Sequence, residues 1–279
     1  MTTTSPAGRG TWTRRAFWVL ADGWTVAGRD LRHWIRQPGP VIIGWVFPVM
    51  ILLMFAGLFG GAIDMPGGAD PATYLDFVLP GMLALAMLFG LETTMIAVNS
   101  DAGKGVTDRF RSLPMSGSAV VLGRCVADML HTVVGLAVLV GAGLALGWRW
   151  HNDLGSAGAA FGLLLLLRFA VLWIGVYIGL LARSPEALSP VQILIWPLGF
   201  LSNVFVRPES MPGWLGALAT WNPLSATAAA ARELFGNPGW GGDTWPAQHA
   251  VLMAVLWPLV IIAVFLPLSV RAYGALGDR

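Results

Sequence analysis

Six stretches of the chain are each long and apolar enough to cross a lipid bilayer as a helix. They run over Val41–Ile63, Phe77–Asn99, Val120–Leu146, Ala157–Ala182, Leu188–Val206 and Ala250–Leu268. A hydrocarbon core of roughly 30 Å needs about 20 apolar residues in helical form. Lipid offers no hydrogen-bond partner to the backbone, so a chain of this pattern satisfies its peptide groups within helices. The expected fold is therefore an all-α integral membrane protein of six transmembrane helices. Composition supports this: 56% of the residues are hydrophobic and 11% are charged. A soluble chain carries about 25% charged residues to cover its surface. The first apolar run begins near Val41, too far in and too long for the core of a cleavable signal peptide, and it reads as a signal anchor.

Basic residues set the expected orientation. Arg9, Arg14, Arg15, Arg29, Arg32 and Arg36 precede the first span, and Lys104, Arg109, Arg111 and Arg124 surround the second-to-third connection. Arg183, Arg271 and Arg279 fall on the same side, against Arg149, Arg207 and Arg232 on the other. This asymmetry places both termini in the cytoplasm. The chain divides into a cytoplasmic tail over 1–40 and a six-helix membrane domain over 41–279.

Two segments outside the spans are unusual. In the tail, Phe17, Leu20, Ala21, Trp24, Ala27, Leu31, Trp34 and Ile35 recur with helical period, opposite Asp22, Arg29, Arg32, His33 and Arg36. That pattern suits an amphipathic helix in the cytoplasmic interface, or one packed on a soluble partner. The segment 207–249 is outside by charge yet mostly apolar, and Asn222-Pro-Leu224 breaks it. Short re-entrant helices before the last span explain it, as would two amphipathic helices in a surface loop.

Four polar residues lie within spans: Glu92, Asp128, His131 and Arg168. A charge at the bilayer centre costs about 2.5–3.5 kcal/mol on insertion scales, so these residues should face the bundle interior or a translocation path. Arg124, Asp128 and His131 share one helix face. The structural reading pairs Asp128 with Arg124 or His131, and Glu92 with Arg168. The functional reading has them touch a substrate.

The cytoplasmic loop 100–118 carries Phe110, Leu113 and Met115 among Asp108, Arg109, Arg111, Ser112 and Pro114. A short helix with an apolar knob between arginines suits docking into a groove on a soluble protein, and the other reading tucks it under the membrane surface. No nucleotide cradle accompanies it. Ala102-Gly-Lys-Gly-Val-Thr107 has a Gly-Lys pair, but Val98 stands where a P-loop needs its first glycine. Neither a Gly-x-Ser-x-Gly elbow nor a His-Glu-x-x-His zinc motif is found, and nothing suggests nucleic-acid binding.

Three segments resemble the permease subunits of type-2 ABC exporters, in the daunorubicin-resistance branch. They are Tyr74-Leu-Asp-Phe-Val-Leu-Pro-Gly81, Asp108-Arg-Phe-Arg-Ser-Leu-Pro-Met115, and Met211-Pro-Gly-Trp214 with Asn222-Pro-Leu224. The resemblance implies a permease in a bacterial plasma membrane, with a second permease chain, expected to be identical, and two copies of a separate ABC ATPase. It places Asp108 to Met115 in the ATPase-coupling position. ATP and Mg are then held by the partner, with no cofactor on this chain. The implied cargo is an amphipathic drug or antibiotic. Export of a lipid-linked polysaccharide or teichoic-acid-type polymer is the alternative, and an intramembrane enzyme is a remote one.

Overall fold

The computed structural model describes residues 38–59, 71–103 and 117–275. The expected tail helix and residues 104–116 of the loop 100–118, Asp108 to Met115 included, lie outside the described residues. All regular structure among the described residues is helical: α1 (Pro38–Phe59), α2 (Pro71–Gly103), α3 (Gly117–Leu146), α4 (Leu154–Leu181), α5 (Ser189–Phe200), α6 (Gly213–Trp221), α7 (Pro223–Phe235), α8 (Trp245–Gln248) and α9 (Ala250–Ala275).

Among the described residues, four helices are long and apolar enough to cross a membrane: Thr73–Gly103, Cys125–Leu146, Leu154–Leu181 and Ala250–Gly274. α1 adds 22 residues, with the shorter apolar stretch Ile42–Leu58. The expected fifth span differs. α5 has 12 residues, about 18 Å at 1.5 Å per residue, which falls short of a hydrocarbon core of roughly 30 Å. The helix stops at Phe200, and the chain then runs irregularly to the single turn at Pro208–Ser210.

That irregular stretch is tolerable at depth because protein groups replace its missing helix bonds. Asn222 Nδ2 donates to the carbonyls of Leu198 (3.0 Å) and Leu201 (2.6 Å). The same side chain caps α7, its Oδ1 accepting from Leu224 N at 2.8 Å. One asparagine therefore ends one helix and starts another, and Pro223 occupies the first turn of α7, where a missing N–H costs nothing. Ser225 Oγ accepts from Asn203 N at 2.9 Å, and Asn203 Nδ2 donates to Ser225 O at 3.1 Å.

α2 and α4 form the central seam. Gly175 and Gly179 sit one turn apart on α4. A Cβ at Gly179 would lie 2.7 Å from the Met95 carbonyl, and one at Gly175 would lie 3.0 Å from that of Leu91. Small residues at this spacing let two backbones approach closely, as membrane helices require where no hydrophobic force drives them together. Asn99 Nδ2 closes the seam's lower end on the carbonyls of Gly179 (3.3 Å) and Ala182 (2.7 Å).

α7 packs against α2, α4 and α9, and its residues Leu224 to Ala228, Ala230 to Arg232 and Phe235 are buried. It is an internal helix rather than a surface loop. Its last carbonyls are capped by the α3–α4 connection: His151 N and Asn152 N donate to Phe235 O, and Asn152 Nδ2 to the Glu233 and Leu234 carbonyls. Within that connection Asp153 caps α4, and hydrogen bonds from Ser156 hold its carboxyl below the usual range.

The close α2–α4 approach predicts a position-specific cost. Gly179→Val should destabilise the protein by about 1–3 kcal/mol through overpacking. Gly158→Val, on the same helix with nothing within 4 Å of its Cβ, should stay within about 0.5 kcal/mol. Thermal unfolding of the two purified variants makes the comparison; equal melting points would contradict the seam.

Candidate functional site: a polar cluster and a cavity at membrane depth

Arg168 lies about midway along α4 and is buried against α2 and α3. Its Nε donates to Thr132 Oγ1 at 3.0 Å and its Nη2 to Thr94 Oγ1 at 2.8 Å. Nη2 also meets Asp128 Oδ2 at 3.4 Å. The two threonines relay the charge. Thr94 Oγ1 donates to Asp128 Oδ2 at 2.6 Å, and Thr132 Oγ1 to the Asp128 carbonyl at 2.8 Å. Gly90 makes room, since a Cβ there would lie 2.5 Å from Arg168 Nε.

These contacts correct one expected pairing, that of Glu92 with Arg168. The carboxylate that meets Arg168 is Asp128, one helix away, and Glu92 instead accepts from Gln192 Nε2 on α5 at 2.9 Å. The side chain of Arg124 lies outside the described residues. His131 turns toward α1, its ring centroid 5.3 Å from that of Trp45. The physical reason is reach. Residues on one helix face compete for partners with residues of packed helices, and the Arg168 guanidinium crosses the seam at the Gly90 gap.

Glu92, His131 and Arg168 come together on the wall of one cavity of about 380 Å³, which α1, α2 and α3 enclose with Trp196 of α5. Asp128 stands behind the wall. α5 lies antiparallel on α2 in three rungs. A Cβ at Gly199 would lie 2.7 Å from Leu85 Cδ1, the Phe89 and Trp196 ring centroids are 4.7 Å apart, and Glu92 bonds Gln192. Phe47 of α1 meets Trp196 edge-on at 6.0 Å.

A second polar centre lies where the first turns of α2 and the α3–α4 connection meet α7. Arg232, counted among loop charges on sequence grounds, is buried. Its Nε donates to Phe77 O (2.9 Å), Nη1 to Asn203 O (3.2 Å) and Nη2 to Val204 O (3.0 Å), with the Phe77 ring 4.0 Å from Cζ. Among the described residues no carboxylate pairs with it. Carbonyl dipoles and one aromatic face hold the charge. Gly81 keeps the passage open, as its Cβ would sit 2.9 Å from Nη2. Beside it, Asn237 accepts from Trp148 Nε1 at 3.1 Å. One of the three resemblance segments, Tyr74 to Gly81, thus contributes Phe77 and Gly81 to this centre.

Sequence reasoning missed Thr94, Thr132 and Gln192, and did not foresee that Arg232 is buried or that the Asn222 side chain holds two helix ends. A signal existed for two of them: Asn222 precedes a proline inside an apolar segment, and Arg232 follows a run of alanines too apolar for a loop.

The ABC-2 type transporter family matches residues 22–235. The chain is similar to the "Daunorubicin resistance ABC transporter permease protein DrrB1" of Streptomyces coeruleorubidus, 40% identical over 82% of this chain and 77% of that protein. It is similar also to the "Probable doxorubicin resistance ABC transporter permease protein DrrC" of Mycobacterium tuberculosis (strain ATCC 25618 / H37Rv), 24% identical over 84% of each chain. The "Putative transport permease ycf38" of Pyropia yezoensis is 26% identical over 81% of each.

The buried ion pair predicts non-additive substitutions. Arg168→Met or Asp128→Asn alone should each cost about 3–5 kcal/mol, because each leaves a partner uncompensated. The double variant should cost clearly less than the two added. Unfolding free energies of the three variants decide it; simple additivity would contradict the pair.

Proposed function

Because the chain belongs to the ABC-2 type transporter family, we propose that it is the membrane-spanning permease of an ATP-driven exporter that moves amphipathic small molecules out of the cell. The observation that carries this reading is the cavity at membrane depth. It joins aromatic walls to a few convergent polar groups, the usual make-up of a small-molecule site. The drug-resistance names of two similar proteins support such a cargo.

The energy source belongs to another chain. An ABC ATPase, in two copies, binds ATP and Mg and docks on the loop that follows α2. Support comes from the residues themselves: Phe110, Leu113 and Met115 are apolar in a stretch flanked by Arg109 and Arg111. Arginines beside an apolar knob orient a partner more than they tighten it. The permease acts as a pair of identical chains in a bacterial plasma membrane, termini inside, with α2 and α5 near the axis. α5 supports that placement, since it covers α2 with one face and leaves Ile193, Leu194 and Leu198 exposed on the other.

Coupling is testable without disturbing the spans. Burial of an apolar side chain of this size is worth about 1.5–3 kcal/mol. Phe110→Ala with Leu113→Ala should leave insertion intact, weaken ATPase docking by at least about tenfold, and abolish export. Co-purification and efflux assays read both effects. Normal ATPase recovery with normal efflux would mean that the loop is not the docking element.

A further inference from the structure

Charge in the cavity is unequally balanced. Arg168 is committed to Asp128, Thr94 and Thr132. Glu92 is held by the neutral amide of Gln192, and among the described residues no Lys, Arg or His forms an ion pair with it. A carboxylate on the cavity wall with only a neutral hydrogen-bond partner offers a counter-ion to an entering cation, and the pair is stronger where little solvent screens it. One turn away on each helix stand Phe89 and Trp196, and Phe47 meets Trp196 from α1. Aromatic rings add attraction for a cation and stacking for a flat apolar body. About 380 Å³ is room for a small organic molecule.

We propose that this cavity binds flat aromatic organic monocations, with Glu92 as counter-ion and Trp196, Phe89 and Phe47 as the stacking wall. The inference rests on the permease reading and deepens it by assigning the specificity-determining residue. Gln192 competes with the ligand for the carboxylate, so ligand entry exchanges a neutral hydrogen bond for an ion pair. That exchange loosens one of the three rungs between α2 and α5. Uncharged molecules of similar shape meet the same aromatic wall without the ion pair, so Glu92 separates the two classes.

The test uses the full chain with its ATPase in phosphatidylcholine nanodiscs. Two fluorescent probes are titrated without nucleotide: ethidium, a flat aromatic monocation, and Nile red, which is uncharged. Glu92→Gln should weaken ethidium binding by about tenfold or more, as expected for loss of a desolvated charge contact. Nile red binding should change less than about twofold. Trp196→Ala should weaken both probes. Gln192→Ala, which frees the carboxylate without removing it, should strengthen ethidium binding alone and serves if Glu92→Gln does not fold. Parallel changes for the two probes in Glu92→Gln or Gln192→Ala, or a wild type that does not bind ethidium, would overturn the assignment. ATP-driven Nile red export by the wild-type complex separates the two readings. If it persists in that case, only the site assignment fails; if wild-type membranes show no ATP-driven export at all, the permease reading fails.

Discussion

Everything near the centre of the bundle depends on satisfying one guanidinium where water is absent. Arg168, carried on α4, needs acceptors for its Nε and Nη2, and α2 and α3 supply them through Thr94, Thr132 and Asp128. Three helices are thereby fixed in rotation about their axes. α2 must present Gly90 to let the side chain through, and must carry Thr94 one turn later. Glu92, between those positions, is left facing α5 and the cavity. The pairing of one charge inside the seam therefore decides which other charge remains available at the cavity wall.

The same constraint acts at the far end with different chemistry. There the chain is irregular between Phe200 and Arg207, and a broken helix leaves carbonyls without helical partners. Arg232, Asn203, Asn222 and Ser225 take up those carbonyls and amides. The result is a short α5 whose position is set from both sides. Asn222 holds its C-terminal end, and the three rungs to α2 hold its length. α5 is thus a mechanically distinct element that borders the cavity through Trp196 and Gln192.

Much of this was legible in the residues, and the failures share a cause. Apolar runs marked α1 to α4 and α9, because length and hydropathy are local properties. The break at Asn222-Pro223 marked the junction of α6 and α7 for the same reason. Pairings were not legible. Glu92 was paired with Arg168, yet Arg168 meets Asp128 and Glu92 meets Gln192, and helical spacing carries no knowledge of which helix packs alongside. The length of α5 was overestimated because hydropathy continues past Phe200, whereas termination is decided by the Asn222 amide far along the chain. Arg232 was read as a loop charge, since a charge count sees only sequence position. The coupling residues Asp108 to Met115 stand on their composition alone.

An apolar bundle with a charged cavity and no nucleotide cradle of its own must draw its work from elsewhere. Purified chain reconstituted in liposomes, with and without a partner ABC ATPase, tests that dependence most directly. The account predicts that an amphipathic dye crosses the bilayer only when both chains and ATP are present, and that replacing the ATPase's P-loop lysine abolishes transport. ATP-independent transport by this chain alone, at the rate of the full complex, would contradict it.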